Sequence, residues 1–110
     1  MGKIGSRCAA ALSLAAFLGT AHAQPLDPPA QRGLNFVRAN CARCHSIDKV
    51  QASPITIAPP FRDLHKRYPV ESLEEALGEG IVTGHSMMPE FRLDPGQITD
   101  LIAFFKTLER

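Results

Sequence analysis

One short stretch decides the fold of this chain, the run Cys41-Ala42-Arg43-Cys44-His45. Two thiols three residues apart on one helical turn can both reach the vinyl groups of a single porphyrin and form thioether bonds. The histidine that follows then falls under the iron and supplies one axial ligand. The spacing therefore predicts one covalently attached haem c, with Cys41 and Cys44 as thioethers and His45 as the proximal iron ligand.

Three other chemistries use closely spaced cysteines. A structural zinc site needs four ligands, the second pair close together, whereas His65 and His85 are twenty residues apart. A thioredoxin-like redox pair would sit beside a βαβ pattern, which this sequence does not show. A plain disulfide between Cys41 and Cys44 is the remaining reading of the pair. The sequence favours haem over all of these.

The first 23 residues differ from the rest of the chain. Two basic residues precede an apolar run at residues 8–18, and Ala21-His22-Ala23 matches an A-x-A cleavage pattern. This arrangement is typical of a secretory signal peptide, and the run is shorter than the roughly 20 residues of a membrane-spanning helix. We expect residues 1–23 to be cleaved and residues 24–110 to form one periplasmic domain with no integral membrane segment.

The composition of residues 24–110 limits the partners of this domain. Of the chain's 12 basic and 11 acidic residues, two bases lie in residues 1–23, which leaves a net charge of 10 − 11 = −1. A near-neutral charge argues against nucleic acid or an anionic membrane surface as a partner. Only 35 of these 87 residues are apolar. A core this thin usually needs a staple such as a bound cofactor.

Prolines divide the domain into segments, and several of these segments are predicted to be helices. Asp27 and Pro28 are suited to the N-cap and first position of a helix whose apolar face leads to the cysteines. Residues 46–60 predict a loop and residues 61–68 a short helix. A capping box formed by Ser72 and Glu75 would open the next helix.

The last predicted helix carries the strongest local signals. Asp94 is its expected N-cap, Pro95 stands at the first helical position, and Gln97 completes a capping box. An apolar stripe follows at helical spacing and must be buried; it comprises Ile98, Leu101, Ile102, Phe105 and Leu108. With no convincing strand pattern anywhere, the predicted fold class is all-α with long loops.

These residues resemble the class I cytochrome c family over essentially all of residues 24–110. Gly33 stands eight residues before Cys41, where the family has a small residue. The resemblance implies that the N- and C-terminal helices cross there, against Leu101 and Phe104, and that helices and long loops wrap the haem. It also implies that the Pro59 carbonyl accepts the Nδ1 proton of the proximal histidine, which would orient that ring.

The expected sixth iron ligand is Met88. The run Met88-Pro89-Glu90-Phe91 resembles the family's distal M-P-x-F segment, and a proline biases the preceding residue toward an extended shape. Met87 and His85 lie in the same loop and remain alternatives, as does an open site.

The sequence also leads to expectations for several polar residues outside the attachment motif. His65 and the glutamates of the third predicted helix are expected to face solvent. Donors to the haem propionates are expected among four residues, namely Arg62, Lys66, Arg67 and Tyr68.

A haem whose two axial positions are both filled by protein can exchange electrons but has no site for a substrate. The ligand set and the resemblance therefore imply a one-electron carrier between periplasmic or membrane redox partners, and not an enzyme. The alternative is a haem subunit of a larger dehydrogenase or oxidase. A gas sensor or peroxidatic enzyme with a labile distal ligand is a third possibility.

Overall fold

A computed structural model describes Gly2, residues 19–80 and residues 87–110. Within these ranges the chain is all-α, as predicted, and has three α-helices and two 3₁₀ helices: α1 (Pro28–Asn40), α2 (Leu73–Glu79), α3 (Pro95–Thr107), Phe61–Lys66 and Val70–Ser72. The expected signal peptide, residues 1–23, lies mostly outside the described residues, and its cleavage stays a prediction.

Helix α1 begins where the sequence places it. Asp27 has the extended backbone of an N-cap, although its side chain makes no capping hydrogen bond, and Pro28 occupies the first turn. The buried face of the helix consists of Ala30, Gly33 and Val37. The helix ends at Asn40. Carbonyl groups of its last turn accept hydrogen bonds from the chain that follows, which forms a tight turn over residues 41–45.

Helix α3 also begins as predicted. The Asp94 carboxylate accepts from the Gln97 backbone N–H at 2.9 Å, and the Gln97 side-chain oxygen accepts from the Asp94 N–H at 3.2 Å. The predicted capping box is therefore confirmed. The apolar face of α3 is buried, and its buried residues are Leu101, Ile102, Phe104 and Phe105.

The capping box predicted for α2 is not formed. Ser72 precedes the helix as expected, but its backbone is already helical, with φ −64° and ψ −11°, and its side chain makes no capping bond. The cause is the 3₁₀ helix Val70–Ser72, which runs straight into α2. A side chain caps from an extended backbone, so a residue within a helical turn cannot take that role.

Helices α1 and α3 cross at Gly33. A Cβ built on Gly33 would lie 2.8 Å from the Asp100 carbonyl carbon and 2.8 Å from Phe104 Cβ. The two backbones can meet this closely only because glycine has no side chain. The crossing agrees with the resemblance, except that the nearest groups are the Asp100 backbone and Phe104, while Leu101 turns into the core and is 2% exposed.

Candidate functional site

The two cysteines lie where α1 gives way to the turn. The Cys41 carbonyl accepts turn hydrogen bonds from the Cys44 N–H at 3.0 Å and from the His45 N–H at 2.9 Å. Both thiols are free. Burial, assisted by the nearby Cys44, raises the pKa of the Cys41 thiol to about 11. This thiol is protonated at neutral pH, which is unlike the low-pKa thiolate of a thioredoxin-like pair.

His45 is buried and held by one side of its ring. Its Nδ1 lies 2.8 Å from the Pro59 carbonyl oxygen. A carbonyl oxygen can only accept, so Nδ1 carries the proton and Nε2 keeps the lone pair that can bind a metal. The Phe61 ring covers the imidazole, with ring centroids 4.7 Å apart. The ring therefore has a defined tautomer and one open coordinating nitrogen.

An apolar cleft opens in front of His45. It consists of two adjoining cavities that share part of their lining. Five residues line both cavities, namely Cys41, His45, Phe61, Met88 and Phe91. Cys44 lines the smaller cavity. The predicted attachment residues and Met88 therefore surround one space.

The three candidates for the sixth ligand are placed differently. Met88 is half-buried and reaches both cavities, whereas Met87 is 64% exposed and lines the smaller cavity. His85 lies outside the described residues. Of the two methionines, Met88 is the better placed to present its sulfur to a group bound in the cleft.

The chemistry of the lining fits a covalently bound haem. Its two thiols can form the thioether bonds of such a group, and its imidazole nitrogen and methionine sulfur atoms can bind the iron. The deeper wall is apolar and includes Leu64, Leu73, Leu77, Leu101 and Phe105. Among residues 19–80 and 87–110, no three His, Cys, Asp or Glu side chains come close enough to hold a metal ion.

The expected propionate donors are not equivalent. Arg62 donates to the loop that follows His45, and Lys66 donates to Asp63 at 2.7 Å. Tyr68 lines the larger cavity and is 38% exposed. Tyr68 is therefore the better placed of these three for a polar group at the cavity mouth.

His65 is not the solvent-facing residue that the sequence suggests. It is half-buried, and its Nδ1 is buried without a hydrogen-bond partner among the described residues. The cause is its place in a tight 3₁₀ helix directly after Leu64, which is 6% exposed and part of the core. The glutamates around α2 are exposed as predicted.

The fold and the site together define a small helical haem protein. A model of the cytochrome c family matches residues 30–109, and the chain belongs to that family. Its cofactor is a covalently bound haem c, and Cys41 and Cys44 stand in the family's attachment motif. Members of the family generally transfer electrons together with redox partners. Neither the curated proteins nor the solved structures gave a match.

None of the helices within residues 19–80 and 87–110 is both long enough and apolar enough to cross a bilayer.

Proposed function

We propose that this chain is a periplasmic one-electron carrier in which His45 and Met88 are the axial ligands of the haem iron. The observation that carries the proposal is that both side chains line the same apolar cleft, with the His45 Nδ1 proton donated to Pro59. When bound, haem c supplies the one-electron couple between Fe(III) and Fe(II). Residues 1–23 would direct export and then be removed.

The protein's own residues would set the tendency of the site to accept an electron. Leucine and phenylalanine side chains of the deeper wall exclude water, and a dry surrounding penalises the more highly charged oxidised state. The soft thioether of Met88 favours the reduced state as well. The hydrogen bond from His45 to Pro59 acts in the opposite direction, because it makes the imidazole a stronger donor. The net expectation is a high reduction potential.

The ligand assignment is tested by absorption spectroscopy of methionine variants. Ferric iron bound to a thioether shows a weak near-infrared charge-transfer band. We expect Met88→Ala to lose this band and to have a lower reduction potential. The neighbouring exposed residue provides a matched control, since Met87→Ala should keep both the band and the potential. A band that persists in Met88→Ala refutes the assignment, and one lost in Met87→Ala transfers it to that residue.

A haem subunit of a larger dehydrogenase or oxidase is the alternative function. Ile57 and Met87 are 67% and 64% exposed, and both line the smaller cavity beside Cys44. An apolar rim at this place would suit a brief electron-transfer contact or a permanent subunit interface. Size-exclusion chromatography of native extract distinguishes the two. A free carrier elutes at the size of residues 24–110, and co-elution with a large redox enzyme supports the alternative.

Export is tested on the same preparation. The proposal predicts that the haem-bearing chain is recovered in the periplasmic fraction and that its N-terminal sequence begins at Gln24. An intact N-terminus or a cytoplasmic haem-bearing chain would refute it.

A further inference from the structure

Arg62 grips the loop that directly follows His45. Its Nη1 lies 2.7 Å from the Gln51 carbonyl oxygen, 3.2 Å from Ser46 Oγ and 3.3 Å from the Asp48 carbonyl oxygen. Hydrogen bonds from a charged donor are shorter and stronger than neutral ones. One guanidinium group thus ties together both ends of a six-residue loop.

The residue before Arg62 acts on the same place. Phe61 donates its backbone N–H to the Ser46 carbonyl at 3.0 Å, and its ring packs on His45. Two consecutive residues, Phe61 and Arg62, therefore hold two consecutive residues, His45 and Ser46.

The loop groups that face Arg62 are also bonded within the loop, and Asp63 on its other side is paired with Lys66. The Asp48 carboxylate accepts from the backbone N–H groups of Val50 at 2.8 Å and Gln51 at 2.7 Å, and these bonds, with the charge of Arg62, keep the pKa of Asp48 below its usual range. The Ser46 N–H donates to Ser53 Oγ at 3.0 Å. Ser46 itself is 5% exposed. The loop is organised from within, and Arg62 fastens it to the helix that follows Pro59.

We propose that Arg62 is a positioning residue for the proximal haem ligand. By fixing Ser46, it fixes the direction of the adjacent His45 ring and the length of its hydrogen bond to the Pro59 carbonyl. That hydrogen bond sets how strongly the imidazole donates to a metal. The proposal rests on the proposed function only in that His45 is the proximal ligand, and it does not depend on Met88 or on the identity of a redox partner.

Solvent exchange of the His45 Nδ1 proton, followed by NMR on the haem-attached protein, tests the proposal. Loss of a charge-assisted hydrogen bond should raise the exchange rate by about tenfold in Arg62→Met. Arg62→Lys keeps the charge on a shorter side chain and should show a smaller rise. Arg38→Met removes an exposed positive charge from α1 and should leave the rate unchanged.

Backbone amides of α3 separate positioning from general stability. A merely structural role would raise the exchange of the Leu101 amide and of the His45 Nδ1 proton by the same factor, because both would exchange through global unfolding. The proposal requires the Nδ1 proton to accelerate while the Leu101 amide does not. Equal acceleration, or an unchanged Nδ1 rate in Arg62→Met, overturns it. Loss of the near-infrared band in Met87→Ala would instead revise the ligand assignment and leave this result standing.

Discussion

Gly33 of α1 and Asp100 of α3 meet backbone to backbone. A Cβ on Gly33 would overlap the Asp100 carbonyl group. At the same point the Asp100 carboxylate accepts two hydrogen bonds from Arg32, from Nε and from Nη2, each at 2.8 Å. The backbone contact at Gly33 and the two hydrogen bonds from the adjacent Arg32 therefore fix the crossing of α1 and α3, the two longest described helices.

We expect Gly33→Ala to be strongly destabilising. The added methyl group would press on backbone and on Phe104 Cβ, neither of which can rotate away. Overpacking of this kind typically costs about 1–3 kcal/mol, measurable by chemical unfolding of the haem-attached protein. Asn35→Ala, on the exposed face of the same helix, is the control and should change the free energy of unfolding by less than about 0.5 kcal/mol. Equal stabilities of the two variants would contradict the close crossing.

The pair of Arg32 and Asp100 should make stability depend on pH. The hydrogen bonds and charge of Arg32 hold the pKa of Asp100 below its usual range. A carboxyl whose pKa is lower in the folded than in the unfolded chain stabilises fully above the unfolded pKa, about 4, and loses this contribution as the pH falls through the lowered folded value. Asp100→Asn should therefore be less stable than the wild type at neutral pH and lose less stability on acidification.

Urea unfolding at about pH 7 and about pH 3 measures this difference. Arg32→Met is the matched variant, because it removes the partner that lowers the pKa and should flatten the same part of the profile. An acid dependence in Asp100→Asn equal to that of the wild type would show that the pair contributes nothing.

The helix caps show which local signals in the sequence were sufficient. Asp94, Pro95 and Gln97 predict an N-terminus that forms as expected, because all the groups involved lie within four residues of one another. Ser72 and Glu75 carry a similar pattern, yet the preceding segment is already helical. That segment includes Val70, which is 1% exposed and belongs to the core. Tertiary packing overrides the cap there, and a local pattern cannot report it.

The two predicted caps should consequently respond differently to alanine. Asp94→Ala removes an observed capping bond and should cost about 1 kcal/mol. Ser72→Ala removes no capping bond and should lie within about 0.5 kcal/mol of the wild type. Unfolding free energies of both variants test the assignment, and a larger loss in Ser72→Ala would restore the capping box predicted from the sequence.

The site residues also differ in whether a local sequence signal is sufficient to predict them. The attachment of haem c at Cys41 and Cys44 is predictable because its signal lies within five consecutive residues, whereas His45 and Met88 as iron ligands stay predictions. The surroundings of Arg62 and His65 were not predicted, since they come from segments distant in sequence or from the core. The useful signal for Arg62 was its position directly after Phe61 and close to Pro59, which brings its long side chain back to the loop after His45.

Gly80, which ends α2, should require glycine. Its φ is +111°, a conformation that residues with a side chain rarely adopt, and a Cβ would also meet the Glu90 carboxylate and lie 3.3 Å from Arg92 Nε. Strain of this kind costs about 1–3 kcal/mol. Gly80→Ala should lower the stability accordingly and weaken the near-infrared band. Gly78→Ala, in the same helix with 3.4 Å to a movable Ile98 methyl, should do neither. Similar behaviour of the two variants would contradict this role.

The chain should be largely unfolded when haem cannot be attached. Twelve apolar residues are buried within residues 19–80 and 87–110, and five of them line the larger cavity, namely Phe61, Leu64, Leu77, Leu101 and Phe105. Without a group in the cleft, these side chains lack the contacts that the group would make, and this loss falls on a core that is already small. We expect the double variant Cys41→Ala and Cys44→Ala to lose most of its helical circular dichroism and its cooperative thermal transition. The haem-attached wild type, measured in the same buffer, should keep both. A native-like spectrum with a cooperative transition in the double variant would mean that the helices pack without the cofactor, and that the crossing at Gly33 is sufficient to hold the fold.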